Sequence, residues 1–179
     1  AIAALAMTAC SNDEEQVFTQ KEGEIVLQML HPSLSRATDT AFENTDEIGV
    51  YVTAADSKLQ LGGNVVNNEK FVFNGTSWSS PRKVYWNTGN HNVYAYYPYS
   101  QQVNDVEDYV FAIQTDQSTA EGYTKSDFMW ASANGVAASN DAVKMQFAHK
   151  LSCVNVMLVK GESYEGEIPA NTEVYLYST

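Results

Sequence analysis

An antiparallel all-β sandwich, with helix a minor component, is the fold class that this sequence of 179 residues predicts. Three observations carry the expectation. Short runs of alternating apolar and polar residues recur along the chain, rich in Val, Ile, Thr and Tyr. Turn residues separate them, Asn74-Gly75 and Asn87-Thr88-Gly89-Asn90 foremost. Hydrophobic residues make up 44% of the chain and aromatic residues 12%, with 11 tyrosines, which suffices for a core. About nine short strands at such spacing indicate a sandwich.

Taken in order, Glu24–Leu30 (EIVLQML) is the first strand. Ile25, Leu27 and Met29 share one face, and Val26 and Leu30 the other, so cover is expected on both sides. His31–Asp46 is polar, with Pro32 near its start, and reads as an extended loop. Glu47–Ala54 is the next strand. From Lys58 to Ser80 come short strands, with a hairpin at Asn74-Gly75, where both residues tolerate positive φ. Lys83–Ser100 holds two strands around Asn87–Asn90. In the second, Val93, Ala95 and Tyr97 alternate with Tyr94 and Tyr96, and Pro98 ends it. Tyr109–Ser118 is expected to be a strand. Ser126–Ser139 is rich in alanine and permits a short helix. The last elements are Val143–Gly161 and Glu173–Ser178. Within the former, Phe147, His149 and Leu151 fall out of phase with Val154, Val156 and Leu158. A bulge near Ser152–Cys153 would put both sets on the core side.

Formal net charge is −12, with no charge in residues 1–9. So acidic a chain argues against nucleic-acid binding and against adsorption to anionic lipid, both of which need Lys and Arg. The N-terminal stretch LAMTACSNDEE is more specific. Residues 1–9 are small and apolar, too few for a membrane span, which needs about 20. They read as the back half of a secretory signal, so the chain is expected to begin inside its own signal. MTAC (Met7–Cys10) resembles a bacterial lipobox. That resemblance implies a diacylglycerol on the Cys10 sulfur and cleavage before Cys10. Each buried methylene then contributes roughly 0.8 kcal/mol to membrane anchoring. The acidic SNDEE behind it resembles the tether of surface-exposed lipoproteins. If Cys10 is acylated, Cys153 has no disulfide partner, and its apolar setting suggests a small buried hydrophobe. The expected organisation is a partial signal at 1–9, an acidic tether at 10–23 and a sandwich domain at 24–179.

No catalytic motif is present: no glycine-rich phosphate loop, no HExxH, no GxSxG. His31, His91 and His149 lie far apart in sequence and lack metal-ligand spacing, so no metal, cofactor or catalytic residue is assigned. Asn104–Asp108 (NDVED) could hold calcium loosely, but reads better as a loop tip. Trp78, Trp86, Tyr94, Tyr96, Tyr97, Tyr99 and Trp130 could form a sugar-stacking platform. Paired tyrosines on strand faces more often build a core and its rims.

Four pieces, in order, carry a further resemblance: RATDTAFENTDEIGVYV (Arg36–Val52), VYWNTGNHNVYAYYPY (Val84–Tyr99), QTDQSTAEGYTKSDFMWA (Gln114–Ala131) and FAHKLSCVNVML (Phe147–Leu158). With the lipobox they resemble the Bacteroidales fimbrillins, subunits and anchors of surface fimbriae. The resemblance implies a transthyretin-like Greek-key sandwich as the N-terminal domain, followed in most members by a second sandwich, which this sequence is expected to lack or only to begin. It implies export as an outer-membrane lipoprotein and, in polymerising members, a cut by an Arg-specific protease behind the first strand, here at Arg36; some anchor or tip members keep their lipid and first strand. The displaceable strand would be the one bearing Ile25, Leu27 and Met29, to be replaced by a strand of a neighbouring subunit. The implied partners are other fimbrial subunits, the outer membrane, and host or bacterial surface receptors. The alternative reading is a surface glycan-binding lipoprotein that does not polymerise. The first needs a displaceable strand; the second needs exposed, coplanar aromatics.

Overall fold

The computed structural model describes residues 22–32, 41–154 and 156–175. Its strands are β1 (Glu22–Glu24), β2 (Leu27–Leu30), β3 (Glu47–Ala54), β4 (Val66–Phe73), β5 (Trp78–Ser79), β6 (Tyr85–Trp86), β7 (Asn90–Tyr97), β8 (Met129–Ala137), β9 (Val143–Gln146) and β10 (Ala148–His149). One short helix, α1 (Ala120–Thr124), lies between β7 and β8.

Period-two alternation builds the larger layer, a six-stranded sheet of order β10-β8-β7-β3-β4-β5 with every pair antiparallel. Ile48, Val50 and Val52 of β3, and Val93, Ala95 and Tyr97 of β7, turn to one face and are buried. Met129 and Ala131 of β8 join them. The facing layer consists of two short pairs, β1–β6 and β2–β9. It contributes Ile25, Leu27, Met29, Trp86 and Met145, and with Phe147 these close the core. This is the all-β sandwich that the alternation and turn signals predict.

The other face of the large sheet has its own cover. Tyr51 and Tyr96 point outward there, yet each is only 3% exposed. The chain between β7 and β8 folds across them, bringing Tyr109 to 5.9 Å and Phe128 to 6.4 Å from the Tyr96 ring. Gly49 stands opposite Tyr96 in the β3–β7 pair, and the tyrosine ring lies over its Cα. Across β3 from that ring, β4 carries a bulge between the residues facing Val50 and Val52. Asn68 within it has φ 42°, a left-handed conformation that Asn tolerates better than most residues.

β3 spans the predicted residues, β7 ends before Pro98, and the Asn74-Gly75 turn joins β4 to β5 with Gly75 at φ 90°. Other segments differ. The first strand is two strands, broken at Ile25–Val26. Tyr109–Ser118 forms no strand: Tyr109 and Phe111 fold onto the sheet as cover, while Val110 is 86% exposed. The alanine-rich stretch is β8, because Ala131 lies in the core opposite Ala95. The helix forms earlier, where the Thr119 hydroxyl accepts from the Gly122 N–H at 3.0 Å. The bulge expected at Ser152–Cys153 is replaced by a change of layer at Phe147, from β9 to β10. Val154 and Val156 are consequently exposed, with no ladder beside them among the described residues. Glu173–Tyr175 forms no strand either.

Candidate functional site

The stretch Glu22–Leu30 is one extended chain with two different neighbours. Its first part pairs antiparallel with β6, Glu22 opposite Trp86 and Glu24 opposite Tyr85. The Ile25 N–H then donates to the Val84 carbonyl at 2.9 Å. Beyond Val26 the partner changes. β2 runs parallel to β9, from Leu27 opposite Val143 to Leu30 opposite Gln146. The Val143 N–H donates to the Val26 carbonyl at 2.9 Å, and the Phe147 N–H to the Leu30 carbonyl at 3.0 Å. Parallel pairing is the one departure from the otherwise antiparallel sheets among the described residues.

Ile25, Leu27 and Met29, the residues assigned to a displaceable strand, lie together facing inward at 3%, 5% and 8% exposure. They pack with Trp86, Met145 and Phe147. Trp86 is fully buried and fixed by its indole N–H, which donates to the Ser139 carbonyl at 2.9 Å. Val26 is 44% exposed, so the strand is covered on one face and not on both. The Lys83 Nζ–Glu24 Oε2 pair, 2.7 Å apart, sits at the solvent-exposed rim and contributes little. Burial of the three apolar side chains is worth roughly 5–9 kcal/mol in all. Withdrawing the strand would bare Trp86, Met145 and Phe147 and strip the backbone partners from Val84, Val143 and Phe147. An incoming strand of the same pattern would restore both.

Cys10 and Arg36 lie outside the described residues. Two of the three histidines come together, while His91 lies buried against the Trp86 ring at 5.0 Å. His31, directly after β2, has its ring 5.9 Å from that of His149, whose Nδ1 lies 2.9 Å from Asp127 Oδ1. Sequence distance concealed this cluster; the only signal for it was His149 falling on the inward register with Phe147. In the NDVED loop, the Asp105 carboxylate accepts from the backbone N–H groups of Glu107 and Asp108 at 2.7 and 3.0 Å, as a loop tip does. Those bonds hold the Asp105 carboxyl below its usual range.

The aromatic side chains divide among separate packing clusters. Trp86 and Tyr97 belong to the main core. Trp78 packs on Phe42 and Phe73. Tyr96 is buried on the outer face with Tyr51 and Phe128, where Tyr94 and Trp130 are half-buried and tilted by 38°. Burial pushes the Tyr96 phenol pKa well above its ordinary value. Its hydroxyl accepts from the Ser100 N–H at 3.2 Å and lies 2.7 Å from Asn68 Oδ1. These rings are anchors of packing, not a coplanar platform.

The model of one protein family, described as fimbrillin-like, matches residues 35–177 of this chain. The chain belongs to the fimbrillin-like family. It is 29% identical, over an alignment 182 positions long, to a curated Bacteroides ovatus protein named as the fimbrium tip subunit Fim1C, covering 88% of this chain and 33% of that protein. It thus spans about a third of that relative. Among solved structures, a fimbrial protein from Bacteroides ovatus is similar with a TM-score of 0.52 and 26% identity, over 72% of this chain and 29% of that one. A second Bacteroides ovatus structure, described as a cell adhesion protein, has a TM-score of 0.56 over 72% of this chain and 53% of its own. At 21% identity its likeness is one of fold.

Proposed function

We propose that this fimbrillin-like chain is a structural and adhesive subunit of a cell-surface fimbria, assembled by exchange of its first strand. One observation carries the reading. Glu22–Leu30 fills a seat between β6 and β9, bound through its backbone on two sides and through Ile25, Leu27 and Met29. The polar stretch after it contains Arg36, the proposed cleavage point. Cutting there would sever the strand from the body without touching the ladders that hold the body together. A strand from the next subunit would then take the seat, because an empty groove leaves unpaired backbone and bare core. The precursor is exported as a lipoprotein acylated at Cys10 and reaches the outer membrane by that anchor. Its partners are other fimbrial subunits, and its role is structural rather than catalytic. Likeness to a named tip subunit supports a place in the fimbria, and dispersal of the aromatic rings weighs against a free-standing glycan binder.

Limited trypsin digestion of the full-length protein, followed by intact mass and native size, tests the assembly step. A single early cut after Arg36 and then a ladder of oligomers is expected. A cut product that stays monomeric would contradict strand exchange. The anchor is tested separately: Cys10→Ser should abolish incorporation of labelled palmitate, and retained label would exclude Cys10 as the acylated residue.

A further inference from the structure

We propose that His31 and the rings around it form a clasp that retains the first strand after the chain has been cut. Release of the strand, and not the cut itself, then sets the rate at which the groove opens. The inference rests on Glu22–Leu30 being a displaceable strand.

His31 is attached to the strand, one residue beyond Leu30. Its ring stands edge-on to Phe42 at 5.0 Å and 78°, and to His149 at 5.9 Å and 75°. Both neighbours are held from behind. Phe42 is itself edge-on to Trp78 at 5.0 Å and to Phe147 at 5.4 Å. His149 is fixed by Asp127, with side-chain exposures of 9% and 5% for the pair. The Gln146 side-chain amide adds donors 3.3 Å from the Leu30 carbonyl and 3.2 Å from the His31 carbonyl.

These groups divide along the chain on either side of the stretch that would be cut. The ring that enters the seat belongs to the strand, and every ring that forms the seat follows residue 40. A cut anywhere in residues 33–40 therefore breaks one peptide bond and none of these contacts. The two ladders and the burial of Ile25, Leu27 and Met29 also survive it. What changes is entropic: the strand becomes a separate molecule, free to leave but still bound as a peptide ligand would be. Edge-to-face pairs strengthen such binding beyond the area they bury, so losing both pairs should speed release about tenfold.

The test replaces residues 34–38 in the full chain with a recognition site for a protease that cuts nowhere else. After cutting, the N-terminal piece is followed by size-exclusion chromatography with intact mass. In the chain with native His31 it should co-elute with the body for hours. His31→Ala should release it about tenfold faster, His31→Phe should keep it slow by restoring a ring, and the exposed-site control Val26→Ala should leave the rate unchanged. If His31→Ala does not fold, His31→Gln removes the ring and is read in the same way. Immediate loss of the piece from the His31 chain, or equal rates in the chains with and without the ring, would overturn the clasp. The two proposals fail differently. A body that sheds the strand slowly yet never oligomerises contradicts strand exchange alone. A strand that leaves at once from a body that then oligomerises contradicts the clasp alone.

Discussion

Gly49 lies inside β3, opposite Tyr96 of β7 and beneath its ring. EIGVYVTA reads as a strand, and a glycine inside a strand ordinarily weakens it. The fold supplies the reason for it: an added Cβ would lie 2.1 Å from Cε1 of Tyr96. That ring cannot step aside, since Asn68 and Ser100 hold its hydroxyl and Tyr109 and Phe128 hold its plane. Gly49→Ala should therefore cost about 1–3 kcal/mol through overpacking, seen as a lower urea midpoint with unchanged slope. Gly62, with no atom near its would-be Cβ and no positive φ, is the matched control. Gly62→Ala should stay within about 0.5 kcal/mol of the parent. Equal effects at the two sites would remove Tyr96 from the explanation. The inward set of β7 was legible from alternation; the cover over its outward tyrosines was not, because Tyr109 and Phe128 reach them from an irregular segment.

At the level of elements, the first strand shows what a local pattern can and cannot say. Ile25, Leu27 and Met29 share a face by period two, and all three are buried. The same alternation suggested cover for Val26, which solvent provides instead. Strand partners are non-local: β9 lies over a hundred residues downstream, and nothing in either segment encodes a parallel register with the other. The missing partner also explains the unformed strands. Val154, Val156 and Leu158 alternate as a strand should, yet no chain among the described residues lies alongside to accept their hydrogen bonds. Leu27→Ala should destabilise the chain by about 2–5 kcal/mol, whereas Val26→Ala should change it by less than about 0.5 kcal/mol. Chemical denaturation of both variants checks this. A costly Val26→Ala with a silent Leu27→Ala would reverse the assigned faces of the strand. The proposed cut and anchor, at Arg36 and Cys10, rest on resemblance, as no packing argument reaches those positions.

For the whole molecule, a net charge of −12 and a strand-rich sandwich belong with a surface structural protein more readily than with a nucleic-acid binder. Family membership follows from the match over residues 35–177, and the chain spans a third of its curated relative. The closing element is Glu22–Leu30, and in the proposed assembly its seat accepts an equivalent strand from outside. The most direct measurement adds a synthetic peptide of residues 22–31, His31 included, to cut protein whose own strand has been allowed to dissociate, and records native size over time. The peptide should rebind and suppress oligomers in a dose-dependent way, and a peptide carrying Leu27→Asp and Met29→Asp should do neither. Oligomers that grow regardless of the native peptide, or a body that ignores it and stays monomeric, would contradict strand exchange.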